Sequence, residues 1–337
     1  MATLAQISAQ AGVSEATVSR VLNGKPGVSD SARQAVLTAL DVLGYERPAR
    51  LRQRSAGLVG LVVPELDNPI FPAFAQVIED ALAKHRFTPV LCTQSPGGIS
   101  EDEYVESLLD HGVSGIVFVS GKHADTRADH ARYRNLVARG LPMVFVNGYV
   151  DDIAAPFVSA DDRGAVDLAV SHLVQLGHSR IGLAIGQSRF LPAARKQDAF
   201  LDALARHLSL DEQEARGWIS ETLFSVEGGA AAARELYARG ATAVVCGSDM
   251  MAIGAVRAAR ELGLDVPGDV SVVGFDDSTL VSYLDPPLTT VRQPVAQMCS
   301  AAVGALVDAI DGGPVPSREY LFSCDLVLRG STGAAPS

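Results

Sequence analysis

The sequence predicts an α/β protein, with a small all-α module at its N-terminus and a body of two successive doubly wound parallel sheets. Three observations lead there. Short capped amphipathic runs fill the first 46 residues, β-rich runs alternate with longer amphipathic ones from Leu58 onward, and the charge changes sign between the two parts. At 337 residues the length suits a short module plus a larger body. With 47% apolar and 20% charged residues the chain can bury a sizeable core.

Residues 3–11 read as a short helix. Thr3 is placed to cap the first free amides, and Gln6, three residues on, to reach back in a capping box, with Leu4, Ile7 and Ala11 sharing a face. Gly12 interrupts, Ser14 offers a second cap, and a second helix runs to about Leu22 with Val18, Val21 and Leu22 on its apolar side. Two short helices across a glycine turn signal a helix-turn-helix. A third helix starts near Ser29 and Asp30 and carries Val36, Leu37, Leu40 and Leu43 to a stop at Gly44, so the module is placed at 1–46.

Residues 47–57 shift to Arg, Ser, Pro and Gly without apolar periodicity and read as a basic hinge or linker. The whole chain carries a net charge of −11, which taken alone argues against a nucleic-acid partner, because phosphate binding needs a positive face. Its distribution reverses that: residues 1–57 hold seven Lys or Arg against four Asp or Glu, a balance of +3, leaving −14 on the remaining 280. A basic segment on an acidic body points to nucleic acid at one end only.

From Leu58 the order is GLVGLVVP, a helix over 71–86, TPVLCT, a helix over 101–111, GIVFVS, a helix over 131–139 and PMVFVN. The rhythm repeats as PFVSA, a helix over 164–176, RIGLAIG, a helix over 193–207, a strand around Trp218, a helix over 228–239, AVVCG, a helix over 250–262 and SVVGF. Such alternation makes parallel βαβ units. Two sheets give an N-subdomain of about 58–158 with 291–322 and a C-subdomain of about 159–290 with 323–330, all within a body of 58–337. Ligands in such folds sit at strand carboxyl ends, so the cleft between the sheets is the expected site.

The segment TLAQISAQAGVSEATVSRVLNGKPGVSDSARQAVLTALDVLGY, and within it AGVSEATVSRVLN, resembles the headpiece of the lactose-repressor (LacI/GalR) family. The resemblance implies that the second helix lies in the major groove, with Glu15 and Ala16 at the main reading positions and Arg20 one turn on. Arg20 can donate a bidentate pair to guanine and Ala16 can touch a thymine methyl. Glu15 can accept from cytosine, or serve only as a first-turn carboxylate that favours the helix dipole. Thr3, Ser14, Thr17, Ser19 and Asn23 complete the implied DNA-contacting set as phosphate contacts and caps. The family's hinge carries a Pro-Asn-x-x-Ala-x-x-Leu run; here ERPARLRQRSAG is shorter and lacks that asparagine. Leu51 is the one large apolar residue there, either a minor-groove wedge or an ordinary linker leucine, and Arg47, Arg50, Arg52 and Arg54 could follow a narrow groove.

In the body GLVVPELDNPIF, GHSRIG, GSDMMAIGAVRAARELGLDVPGDVSVVGFDD and DPPLTTVRQPV resemble the same family's effector domain, which has a periplasmic-binding-protein-like fold. LRQRSAGLVGL and TPVLCTQSPGG are similar to the family's actinobacterial maltose-type members, which implies maltose or a maltodextrin as effector. Carried over residue by residue, the implied ligand contacts are Asn68, Phe71, Asn147, Arg195, Lys196, Ser248, Asp249 and Asp276, since sugar hydroxyls both donate and accept. Lys196 stands where many relatives have arginine and offers a point charge, not a fork. Phe224 could stack on a sugar face or belong to the core; Asp161 and Asp162 look like helix-start residues.

Other chemistry is sparse. Cys92, Cys246, Cys299 and Cys324 have neither CxxC pairing nor a histidine at metal spacing, so no zinc site, disulfide framework or cofactor is expected. No GxGxxG follows the first strand, and no Walker, GxSxG or HExxH run occurs, so the chain is not expected to be an enzyme. The start MATLAQISAQAG is too polar for a signal peptide and no apolar run reaches a membrane-spanning length, which predicts a cytoplasmic protein without a membrane partner. The expected partners are a palindromic double-stranded operator, a small sugar and a second copy in a homodimer; the rival is a transport-type sugar-binding protein, against which residues 1–57 count.

Overall fold

A computed structural model describes residues 3–44, 55–94 and 97–336. The chain divides into two compact units, Met1–Ala56 and Gly57–Ser337.

The first unit contains α1 (Leu4–Ala11), α2 (Glu15–Leu22) and α3 (Asp30–Val42). Each start is made by a hydroxyl: Thr3 with Gln6 in the expected capping box, Ser14 accepting from the Thr17 amide, and Ser29 accepting from the Ala32 amide. Gly12 closes α1 in the left-handed conformation that glycine adopts without a β-carbon penalty. Ile7, Val18, Val21, Val36, Ala39 and Leu40 are buried together as one small core. Leu4 and Leu43, expected on apolar faces, are 41% and 36% exposed, because they sit at a helix start and a helix cap, beyond the turns that face each other.

The second unit continues with β1 (Gly57–Val63), α4 (Ile70–Lys84), β2 (Phe87–Thr93), α5 (Glu101–Asp110), β3 (Gly115–Val119), α6 (Ala131–Ala138), β4 (Met143–Val146) and β5 (Phe157–Ala160). Then come α7 (Asp162–Gln175), β6 (Ile181–Gly186), α8 (Leu191–Leu208), α9 (Glu212–Arg216), β7 (Ile219–Thr222), α10 (Val226–Ala238), β8 (Ala243–Cys246), α11 (Asp249–Glu261) and β9 (Ser271–Asp276). The remainder is β10 (Thr289–Arg292), α12 (Val295–Ile310), β11 (Glu319–Phe322) and β12 (Asp325–Val327). One sheet runs β11-β5-β4-β3-β1-β2 and the other β12-β10-β9-β8-β6-β7. All pairings are parallel except β10 with β12. Only Ser323 and Cys324 separate β12 from β11, so the chain steps from the edge of the first sheet straight to the edge of the second without an intervening helix.

The sequence rhythm stops at Phe275 and misses α9 and everything from β10 on. α12 carries a buried stripe at helical spacing, Met298, Cys299, Ala302, Val303, Leu306 and Val307, so its signal is present in the sequence beyond the last run that the rhythm includes. Trp218 precedes its strand and does not lie in it.

Parallel strands covered on both faces need unbroken apolar runs. Val59–Val63, Ile116–Val119, Met143–Val146 and Ile181–Ile185 meet that need. One core cluster joins the α4 and α12 face of the first sheet to the α7 and α8 face of the second; α5 with α6, and α10 with α11, cover the opposite faces. The chain passes between sheets at Asp161, at Gln293–Pro294 and at Ser323–Cys324. Helices α10 and α11 touch through backbone: a β-carbon at Gly254 would lie 2.0 Å from the Val226 carbonyl oxygen, and one at Gly229 would lie 2.2 Å from that of Met251.

Gly254→Ala is therefore expected to cost about 2–3 kcal/mol by forcing the two helices apart, read as a lower urea midpoint with an unchanged slope. A second expectation concerns acid. Burial pushes the His123 imidazole down to about 3 and also lowers His178, whose ring nitrogens bond Thr242 Oγ1 at 2.9 Å and Ser271 Oγ at 3.0 Å. Both bind protons more weakly folded than unfolded, so stability is full above the unfolded value near 6.5 and falls as pH drops from there toward about 3. Urea unfolding at pH 7.5 and pH 5 should show that loss, with a flatter pH slope in His178→Gln.

Candidate functional site

In the first unit, α2 buries Val18 and Val21 and turns Glu15, Ala16, Arg20 and Asn23 outward as one exposed stripe. Their spacing along the helix, at i, i+1, i+5 and i+8, puts them on the side opposite the core. Arg20 donates from Nη2 to the Pro26 carbonyl, which folds its guanidinium over the turn that follows α2. Ser14 and Thr17 share a 2.9 Å hydroxyl contact, and Asn23 Nδ2 donates to the Ser19 carbonyl at 2.8 Å, so these groups also shape the ends of α2. Arg47, Arg50, Leu51, Arg52 and Arg54 lie outside the described residues.

In the second unit the expected ligand contacts fall at or just beyond strand carboxyl ends of both sheets, with Arg195 and Lys196 in the early turns of α8. Asn68 follows β1, is buried, and accepts from the Ile70 amide at 3.3 Å, while Phe71 opens α4 half-buried. Asn147 follows β4 at φ +62°. On the other sheet Phe224 lies half-buried against the end of β6: a β-carbon at Gly186 would stand 1.9 Å from its ring, so only glycine there lets the aromatic ring lie on the sheet edge.

Asp276 ends β9 at φ +117°, strained for a residue with a β-carbon, and accepts from Gln293 Nε2 at 2.7 Å. Burial first, and Asp249 second, push its carboxyl well above the usual range. Asp249 itself is pushed up to about 6, again chiefly by burial. It accepts from Thr290 Oγ1 at 2.6 Å, the Ser278 amide at 2.7 Å and the Ser278 hydroxyl at 2.8 Å. Ser248 caps α11 through the Met251 amide.

The two cations expected to hold a ligand are held by the protein. Lys196 Nζ lies 2.5 Å from Asp162 Oδ1 and 4.0 Å from the centre of the Phe275 ring. Arg195 grips Glu319 on β11 in a fork of 2.6 and 2.9 Å, joining α8 to the other sheet. From the sequence Asp161 and Asp162 look like helix starts, and Asp161 is indeed the α7 cap. Asp162 differs: it is buried and paired with Lys196, a partner 34 residues away that no local pattern reveals. Gln293, Thr290 and Ser278 are likewise absent from the expected set, although the RQP run just after β10 marks Gln293 as a crossing residue.

Away from the crossings, the segment after β3 meets the loop after β6. The Thr126 amide and hydroxyl both donate to the Arg189 carbonyl at 2.8 Å, and Asp125 bridges Phe190. Among the described residues no group of His, Cys, Asp and Glu is arranged to hold a metal ion, and no helix is long and apolar enough to cross a membrane. The four cysteines are buried and unpaired.

Residues 3–48 match the model of bacterial regulatory proteins of the lacI family, and residues 170–332 match that of the periplasmic binding protein-like domain. The chain is 61% identical to the HTH-type transcriptional regulator MalR of Streptomyces coelicolor over 334 residues, covering 99% of this chain and 97% of that one. Among solved structures it is similar to the transcriptional regulator CelR–cellobiose complex, with a TM-score of 0.71 at 31% identity, covering 98% of this chain and 100% of that one. It is also similar to the lac repressor dimer bound to operator and the anti-inducer ONPF, with a TM-score of 0.71 at 27% identity, covering 99% of each.

Because three donors converge on Asp249, Asp249→Ala should cost about 3 kcal/mol by leaving the Ser278 amide and the Thr290 and Ser278 hydroxyls without their acceptor. Chemical denaturation of the full chain checks this.

Proposed function

The chain belongs to the LacI family of bacterial regulatory proteins and is a DNA-binding transcriptional regulator, not an enzyme, and from that premise we propose a cytoplasmic homodimeric repressor of carbohydrate-utilisation genes, released from its operator by maltose or a maltodextrin. The observation that carries this reading is the exposed stripe of Glu15, Ala16, Arg20 and Asn23 on α2, set on a core that leaves it free for a groove. Arg20, Glu15 and Ala16 read base edges; Thr3, Ser14, Thr17, Ser19 and Asn23 hold phosphates, and Arg50 with Leu51 meets the minor groove.

Asn68, Phe71, Asn147, Arg195, Lys196, Phe224, Ser248, Asp249 and Asp276 form the sugar site, Arg195, Lys196 and Asp249 being also bonded within the protein to Glu319, Asp162, and Thr290 with Ser278. Similarity to MalR and to a cellobiose-bound relative supports a disaccharide-class effector, and similarity to a dimeric repressor supports the homodimer. Tyr283 and Leu280, 81% and 64% exposed, offer a second copy an apolar contact. Sugar in the cleft biases the arrangement of the two subdomains and thereby operator affinity, a coupling of about 1–3 kcal/mol that acts equally in both directions.

Fluorescence anisotropy with a palindromic operator from the gene's own upstream region, at fixed salt, tests the reading. Binding should weaken about 5- to 150-fold with maltose or maltotriose. Arg20→Ala should lose about 1–3 kcal/mol and relax preference at one base pair per half-site. Tight binding indifferent to both sugars would discard the maltose assignment, and absence of specific binding would discard the operator reading.

A further inference from the structure

The cleft wall built by the second sheet contains three buried carboxyls, Asp162, Asp249 and Asp276, and one buried ammonium, Lys196. These groups come from four elements, α7, α8, α11 and β9, so their meeting is a property of the fold and not of a local run. The ammonium is committed: it lies 2.5 Å from Asp162 and its remaining side faces the Phe275 ring. The neighbouring cation, Arg195, is spent on a forked pair with Glu319. Both cations of this cluster are thus paired with a carboxylate of the protein itself.

The surroundings press in the same direction. Burial and Asp249 hold the Asp276 carboxyl well above its ordinary range, so this pocket already resists carrying its own negative charge. Burial likewise raises Asp162, with Lys196 opposing it. In the first sheet Glu65 and Asp67 follow β1, and Glu65 is pushed up by burial and by Asp67. A phosphate or carboxylate entering here would shed its water against acids and gain no counter-charge, whereas a hydroxyl can both donate to Asp276 and accept from amides.

We propose that Asp162 is a specificity-determining residue: by neutralising Lys196 it makes the cleft accept neutral polyhydroxylated ligands and refuse phosphorylated or carboxylated sugars. The inference rests on the reading of this cleft as a sugar site and adds the rule by which sugars are sorted. A lysine without Asp162 would be a free buried cation, and the same wall would favour anions. Asp162 would act through Lys196 and not by touching the ligand.

The test is isothermal titration of the full chain with maltose, maltotriose, trehalose and ribose against maltose 1-phosphate, trehalose 6-phosphate and ribose 5-phosphate, in wild type and in Asp162→Asn. Wild type should bind at least one neutral sugar and bind its phosphorylated counterpart about a hundredfold or more weakly, the scale of an uncompensated buried charge. Asp162→Asn should close that gap about tenfold by tightening the phosphorylated sugar, a change of preference that a merely weakened fold would not produce. Wild type also settles the matter if the variant folds poorly: equal or tighter binding of a phosphorylated sugar overturns the inference while keeping the sugar site. A folded Asp162→Asn with an unchanged gap overturns the role of Asp162, and binding of none of the seven compounds takes down the sugar reading and this inference with it.

Discussion

The buried pair of Lys196 and Asp162 is the constraint around which the second unit is arranged. Removing two charges from water is costly, and an ion pair recovers that cost only where further contacts complete its shell. Here the Phe275 ring covers the ammonium, and separate bonds fasten the neighbouring places where the chain changes sheets. Asp162 follows the first crossing, Gln293 in the second crossing bonds Asp276, and Glu319 on the strand before the third accepts Arg195. Two consecutive residues of α8 thus fasten both the start of α7 and a strand of the opposite sheet. Breaking the ammonium's contact would leave a lone buried charge, a loss on the order of 3–5 kcal/mol for pairs of this kind, so the place where the subdomains join is also where the fold tolerates least change.

Much of the architecture was legible because it follows from local rules. The hydroxyls at Thr3, Ser14 and Ser29 start helices where a side-chain oxygen next to an apolar run must start them. The apolar runs at Val59–Val63 and Ile181–Ile185 lie in covered parallel strands, as their lack of alternation requires. The failures come from context. β12 follows β11 by two residues yet pairs antiparallel with β10 of the other sheet, a placement that no local pattern shows.

The cleft was legible in outline and not in detail. Strand ends could be found from the runs that precede them, so Asn68, Asn147 and Asp276 do lie at or just after the carboxyl ends of β1, β4 and β9. What each polar group does depends on a partner far along the chain. Asp249 looks like an available carboxylate until Thr290 and Ser278 are seen to occupy it, and Arg195 looks like an available cation until Glu319 does. Asp162 opens α7, as its local pattern says, and has in addition a distant partner, Lys196, that no local pattern shows.

The contact between Thr126 and Arg189 fastens the segment after β3 to the loop after β6 at a place where the chain itself does not cross. An amide and a hydroxyl of one residue share a single carbonyl, with the Asp125–Phe190 bridge beside them. Most of this fastening is therefore made by main-chain groups, which a substitution does not remove: changing the side chain at 126 takes away one of two donors and leaves the amide and the bridge in place.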